Sequence, residues 1–291
     1  KFDSRVEGLA TDFQNVLSSI NRPQKSENFY NVITKDDPYQ PGGSKSPNQD
    51  INGVQANNTT GSFASVNGNE GYPNQYEKFD NNLYLNQGDF SSELLLPPPP
   101  QHSSEETQLE IAFIKNKMSK LNQDQKDLAV KDALNLSVTF FSDTIPGFHV
   151  DQLPKTKMLF EIVKYNASFE SQLFKKHFMR RRPYQEDSTI KVCVPPTADN
   201  LNHSYPSGHT TLGFASGIVL ANLIPEKSEE ILDRARLYGE NRINCGAHFP
   251  SDVEAGQVLG TLVAMELLKN EEFKSLLKAS KEELVNASLT R

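Results

Sequence analysis

The chain has 291 residues and a formal net charge of −7, with 30 Lys and Arg against 37 Asp and Glu. That balance excludes a general nucleic-acid binder, whose polyanionic partner calls for a basic surface. It does not exclude a small anionic ligand held in a locally positive pocket.

Hydrophobic residues make up 36% of the chain and the mean hydropathy is −0.57. The deficit lies in residues 1–92, a low-complexity N-terminal extension rich in Asn, Gln, Ser, Gly, Asp and Pro. Val6, Leu9, Phe13, Val16 and Leu17 recur at helical spacing and predict one amphipathic helix within 2–20. After Arg22-Pro23 the extension lacks the apolar content to offset its ordering entropy, so it is expected to be disordered or draped on the folded body. Because the chain begins at Lys1 rather than Met, a leader is expected to have been removed, which fits a periplasmic or secreted protein.

The character changes at Leu94-Leu95-Leu96 and the four prolines that follow, Pro97 to Pro100. The prolines predict an extended polyproline segment, anchored by the leucines, and 93–291 is expected to form the folded domain. Ser103 with Glu106 gives a capping-box signal, and Ile111, Ile114, Met118 and Leu121 continue it at helix spacing. A second helix is expected over 124–140, then a turn at Thr144-Ile145-Pro146-Gly147. A long helix from about 155 places Leu159, Ile162, Val163, Phe169 and Leu173 inward and runs to Pro183. A polar loop follows to 206. Further helices fit 208–224, 226–240, 250–268 and 270–288. No segment alternates with a two-residue period, so the class is all-α, a multi-helix bundle. The longest apolar stretches, 212–224 and 255–268, fall short of the ~20 residues that span a bilayer, and a soluble protein is expected.

Three stretches carry residue types suited to chemistry. At the end of the long helix, Lys175 and Arg182 are seven apart, two helical turns, which would put both cations on one face. Such a pair fits a phosphate, although a basic helix end also simply complements the helix dipole. Next, Ser207 in Tyr205-Pro206-Ser207-Gly208-His209 is a good N-cap. Gly208 allows close backbone approach, and the helix start presents free N–H groups to an anion. His209 adds a group that passes protons near neutral pH. Last, Arg242 precedes His248, and Asp252 lies four residues beyond it. An Asp at that spacing can accept from one imidazole nitrogen and leave the other as a nucleophile. A metal site is not expected, because no third and fourth ligand accompanies them.

Together the three read Lys-x6-Arg-Pro, Pro-Ser-Gly-His and Arg-x5-His-x3-Asp. In this the chain resembles the type 2 phosphatidic acid phosphatase superfamily, and specifically the soluble bacterial class A non-specific acid phosphatases. The resemblance covers about residues 94–280, including the Leu-Pro segment. It departs at Asn241, where the family usually has Ser before the Arg; altered local bonding is expected there rather than lost activity.

The resemblance implies a helical domain that hydrolyses phosphate monoesters of broad type without a metal, with phosphotransferase activity as an accompaniment. It implies His248 as nucleophile, Asp252 as its orienter and His209 as general acid and base. Lys175, Arg182, Ser207, Gly208 and Arg242 would hold the phosphate. No cofactor is implied; phosphate or vanadate would occupy the cage. The expected partner is a small phosphate ester, with no nucleic acid and no membrane span, and a homo-oligomer is left open. Two other readings are weighed: a vanadium-dependent haloperoxidase of the same superfamily, and a secreted binding or surface-interaction protein acting through the extension. Cys193 and Cys245 are too few for a disulfide-dense scaffold and lack metal or redox spacing. One disulfide, worth about 4 kcal/mol for such a loop, and two unpaired thiols both fit the sequence.

Overall fold

The computed structural model of the protein describes residues 96–197 and 201–291. The N-terminal extension and its expected amphipathic helix lie outside the described residues. Seven α-helices of twelve residues or more account for the regular structure, and no strand occurs among the described residues. They are α1 (Glu105–Ser119), α2 (Gln123–Leu134), α3 (Pro154–Phe178), α4 (Gly208–Leu223), α5 (Ser228–Asn244), α6 (Pro250–Leu267) and α7 (Glu271–Asn286).

Helix α4 is the centre of the bundle. It has no charged residue from Thr210 to Leu223, and a helix apolar on all sides belongs in the interior. Accordingly Leu212, Ala215, Val219, Leu220 and Leu223 are fully buried, and α3, α5, α6 and α7 all pack against it. The crossing with α6 is unusually close. A Cβ on Gly260 would lie 2.4 Å from the Thr211 carbonyl oxygen, and one on Gly256 would lie 2.7 Å from that of Ser207. Backbone cannot yield as a side chain can, so Gly260→Ala must push the helices apart. A loss of about 1–3 kcal/mol, the usual range for overpacking, is expected in thermal or urea unfolding; wild-type stability would contradict this packing.

Several boundaries differ from the sequence expectation, each for a local reason. The N-cap of α1 is Ser104, not Ser103; its hydroxyl accepts from the Thr107 amide at 3.2 Å, while Ser103 sits at φ 59°. Helix α2 stops at Leu134 because Asn135 turns extended and its side chain accepts from the Ser137 amide (3.0 Å). Val138–Phe141 then forms a separate 3₁₀ turn. The expected 226–240 helix starts at Ser228 and runs on to Asn244.

Helix α3 ends at Phe178, five residues before Pro183, because Met179 adopts a left-handed conformation (φ 47°). Pro183 instead opens a single helical turn, Pro183–Glu186. On α3, Leu159, Ile162 and Val163 are buried as expected, but Phe169 and Leu173 are only half-buried. Ala167, Ser171, Phe174 and Lys175 take the inner positions toward the helix end.

Two features outside the helices tie the domain together. Leu96 is buried, and the Pro97 carbonyl accepts from the Tyr205 hydroxyl at 2.6 Å, so the proline segment is bound to the residue that precedes Pro206. Cys193 and Cys245 form a disulfide, with Cα atoms 4.8 Å apart. It joins the loop before α4 to the end of α5, three residues from His248. No described helix is long and apolar enough to cross a membrane.

Candidate active site

The three sequence stretches converge at one end of the bundle. Their geometry starts with α6. Pro250 occupies its first turn, and Asp252 lies two residues further on. A carboxylate there can reach back to the unpaired N–H groups of the helix start, and Asp252 Oδ2 accepts from the Phe249 amide at 2.9 Å. The same oxygen meets His248 Nδ1 at 3.2 Å and takes the Ser204 hydroxyl. Asp252 is completely buried. Burial alone would raise its carboxyl pKa. Arg180 beside it, the His248 contact and the Ser204 hydroxyl outweigh that and hold the group below the ordinary carboxylate range.

An ionised Asp252 only accepts, so His248 must donate from Nδ1. That leaves a lone pair on Nε2. Arg182 donates to this Nε2 at 2.7 Å and to the Ala247 carbonyl at 2.9 Å. His248 is 2% exposed, and burial followed by the Arg182 charge depresses its imidazole well below the ordinary value, against the pull of Asp252.

The cations reach the site by different routes from the one expected. Arg182 lies beyond the end of α3, so it does not share a helical face with Lys175. The left-handed turn at Met179 brings the chain back instead. Lys175 stays in the last turn of α3, 4% exposed, and donates to the carbonyls of His203 (2.9 Å) and Pro206 (2.6 Å). Those contacts seat the chain that leads into α4, and a Cβ on Gly208 would lie 3.7 Å from Lys175 Cε. Arg242, from the last turn of α5, is 7% exposed, yet its Nε and one terminal nitrogen have no hydrogen-bond partner. Burial and then Arg182 push its guanidinium down to about 10. Burial and Arg182 also depress Lys175 well below its ordinary value. Such crowding of buried cations is unfavourable unless an anion completes it.

Ser207 caps α4. Its oxygen accepts from the Thr210 amide (3.3 Å) and the Thr210 hydroxyl (2.8 Å), so its own proton is left to donate outward. Gly208 and His209 supply the first two amides of the helix, which have no intrahelical partner. His209 Nε2 faces the Ala133 carbonyl at 3.2 Å and donates to it. Burial, then Arg242, lowers the His209 imidazole well below the ordinary value.

Sequence reasoning missed how the Asn241 departure is absorbed. Asn241 donates to buried Asp132 at 2.7 Å, and Asp132 also pairs with both terminal nitrogens of Arg234. This network fixes the end of α2 next to Ala133, the residue that receives His209. Arg234 and Asn241 both lie on α5, and the Asp132 they share lies about a hundred residues earlier on α2, so no short-range spacing signals the network. Arg180 was also passed over within its basic run, although it touches Asp252 directly.

The depressed histidines give a testable pH dependence. An unfolded histidine titrates near 6.5. Below that pH the unfolded chain takes up protons that the folded sites resist, so stability must fall as pH falls through this range. Bound phosphate places negative charge beside both rings and the cations. The melting temperature is therefore expected to drop from pH 7 to pH 5 without phosphate, and inorganic phosphate should raise it and narrow the drop. A melting temperature indifferent to phosphate would contradict an anion cage.

The stretch that holds these residues is similar to known proteins. Residues 158–274 match the family model described as PAP2 superfamily. The chain is 34% identical over 129 residues to a non-specific acid phosphatase of Providencia stuartii, covering 44% of this chain and 52% of that one. It is 36% identical over 115 residues to an acid phosphatase of Zymomonas mobilis, covering 39% and 43%. It is 34% identical over 134 residues to a non-specific acid phosphatase of Salmonella typhimurium, covering 45% and 53%. The chain thus spans about half the length of the curated relatives it matches. Lys175, Arg182, Ser207, Gly208, His209, Arg242, His248 and Asp252 all fall inside residues 158–274, the stretch that is similar to the PAP2 superfamily.

Proposed function

We propose that the protein is a metal-independent acid phosphatase that hydrolyses small phosphate monoesters through a phosphohistidine. One observation carries this reading. A buried histidine with its Nδ1 side held by a carboxylate has its Nε2 turned into a cluster of buried cations, one of which keeps unpartnered guanidinium nitrogens.

In this reading the substrate phosphate draws Arg182 off His248 Nε2 and onto its own oxygens, which exposes the lone pair. Nε2 then bonds to phosphorus as the ester P–O bond breaks. Asp252 offsets the positive charge that develops on the ring. His209, raised by the bound phosphate into its protonated form, gives its proton to the departing oxygen; with Nε2–H held by Ala133, Nδ1 carries it. In the second step neutral His209 takes a proton from water, the water oxygen bonds to phosphorus, and the P–N bond breaks. The balance is ester plus water to alcohol plus phosphate. An alcohol in place of water gives phosphotransfer. Lys175, Arg182, Arg242, the Ser207 hydroxyl and the Gly208 and His209 amides hold the non-reacting oxygens. Phosphoryl transfer depends mostly on such positioning and charge stabilisation.

No motif marks the part of the site that would meet the rest of the substrate, and the reading is accordingly one of broad specificity over nucleotides, sugar phosphates and aryl phosphates. The Cys193–Cys245 disulfide supports an oxidising compartment, periplasmic or secreted.

The test is a substrate panel from about pH 4 to 8, with EDTA and with vanadate in separate arms. Turnover that survives EDTA and falls with vanadate supports the reading. Loss of activity in EDTA, restored by a divalent metal, would replace it with a metallophosphatase. Bromide oxidation with vanadate and peroxide, in the absence of phosphatase turnover, would replace it with a haloperoxidase.

A further inference from the structure

Arg180 has no part in the phosphate cage, yet it is among the most heavily committed side chains in the domain. It is 7% exposed and follows Met179, the left-handed residue that ends α3. One terminal nitrogen donates to Asp252 Oδ1 and to the Ser251 hydroxyl, both at 2.7 Å. The other donates to Glu110 Oε2 of α1 at 2.7 Å, and Glu110 Oε1 accepts from the Ser251 amide at 2.7 Å. The guanidinium lies over the Phe249 ring, 4.0 Å from its centroid. The Arg180 carbonyl accepts from the Ser204 amide (3.1 Å), and Ser204 is the residue whose hydroxyl reaches Asp252 Oδ2.

The two oxygens of Asp252 are therefore held from opposite sides. Oδ2 is shared by His248, Ser204 and the Phe249 amide, whereas Oδ1 takes its hydrogen bond from Arg180. We propose that Arg180, braced by Glu110, is a positioning residue that fixes the rotation of the Asp252 carboxylate and so keeps His248 in the tautomer with Nδ1 protonated and Nε2 free. A planar guanidinium suits this, since its nitrogens reach two carboxylates at once in a rigid geometry. Lysine, a single nitrogen on a flexible stem, lacks the rigid fork that holds two carboxylates in a fixed geometry. Outer partners of this type orient the groups that do chemistry.

The catalytic meaning of this clamp rests on the phosphohistidine reading; the clamp itself does not, and a measurement without substrate separates the two. The neutral His248 ring is read by ¹⁵N NMR in the full chain, in wild type and in Arg180→Ala, Arg180→Lys and Glu110→Gln. Wild type is expected to show the Nδ1–H tautomer alone, and Arg180→Ala a mixture with Nε2–H. Glu110→Gln, which leaves Arg180 and the fold in place, should show a smaller admixture. It keeps the assay informative if Arg180→Ala does not fold.

In turnover, Arg180→Ala is expected to lose about 10- to 100-fold in kcat/KM, carried by kcat with KM within about threefold of wild type. Arg180→Lys should fall between the two. An unchanged tautomer in Arg180→Ala, or in Glu110→Gln where only that variant folds, would overturn the proposal. So would a loss confined to KM. A wild-type chain inactive on every ester would sink the phosphatase reading while the tautomer measurement still decides the clamp.

Discussion

Replacing His248 with alanine is expected to remove turnover of p-nitrophenyl phosphate, a loss on the order of a million-fold in kcat for an enzyme whose nucleophile is gone. The fold should survive. The buried charge that matters locally is Asp252, and its carboxylate keeps Arg180, Ser204 and the Phe249 amide when the imidazole is deleted. The cost should be that of a small cavity, about 2–4 kcal/mol at most, which leaves a cooperative unfolding transition at a lower temperature. Acid-sensitive phosphate bound to wild type after quenching with a labelled ester, and absent from His248→Ala, would identify the intermediate. Wild-type activity in the variant would end the phosphohistidine reading.

The second large effect is expected at His209, and its signature is a difference between substrates. A proton to the leaving oxygen matters most when that oxygen is a poor leaving group. Alkyl phosphates should therefore lose about 10²- to 10⁴-fold in His209→Ala, the usual range for general acid catalysis. p-Nitrophenyl phosphate, whose phenolate leaves unaided, should lose at least about tenfold less in its first step. Because the same ring activates water afterwards, this variant should release p-nitrophenol in a burst and then stall as phosphoenzyme. Equal losses on aryl and alkyl esters without a burst would remove His209 from the acid role.

Both results depend on residues whose placement the sequence conveys unequally. The spacing of His248 and Asp252 is local: the Asp sits in the first turn of α6 and reaches back four residues, so the pairing is settled within a short segment. Ser207 likewise caps the helix it begins. Lys175 and Arg182 are different. Their seven-residue spacing suggested a shared helical face, but the helix ends at Phe178, and a left-handed Met179 turns Arg182 toward His248 instead. Methionine gives no sign of such a turn, because only the surrounding structure makes a non-glycine residue accept it.

The elements themselves follow the same division. Helix existence and class could be read from apolar periodicity, since a 3.6-residue repeat belongs to the chain alone. The helix ends slipped by a few residues where capping competed, as at Ser104 and Asn135. The pairing of the two cysteines stayed open in the sequence, because it depends on which parts of the loop before α4 and the end of α5 come within reach.

Periodicity, caps and short-range spacings are properties of contiguous chain, so the all-helical class and most of the residues that meet at one end of the domain were legible there. How those residues are aimed depends on the packing of the helices. Arg182 on the Nε2 lone pair of His248, Asn241 holding α2 through Asp132, and Arg180 bracing Asp252 from Glu110 are all contacts between distant segments. Their partners are chosen by how helices pack, and no spacing along the chain records that choice.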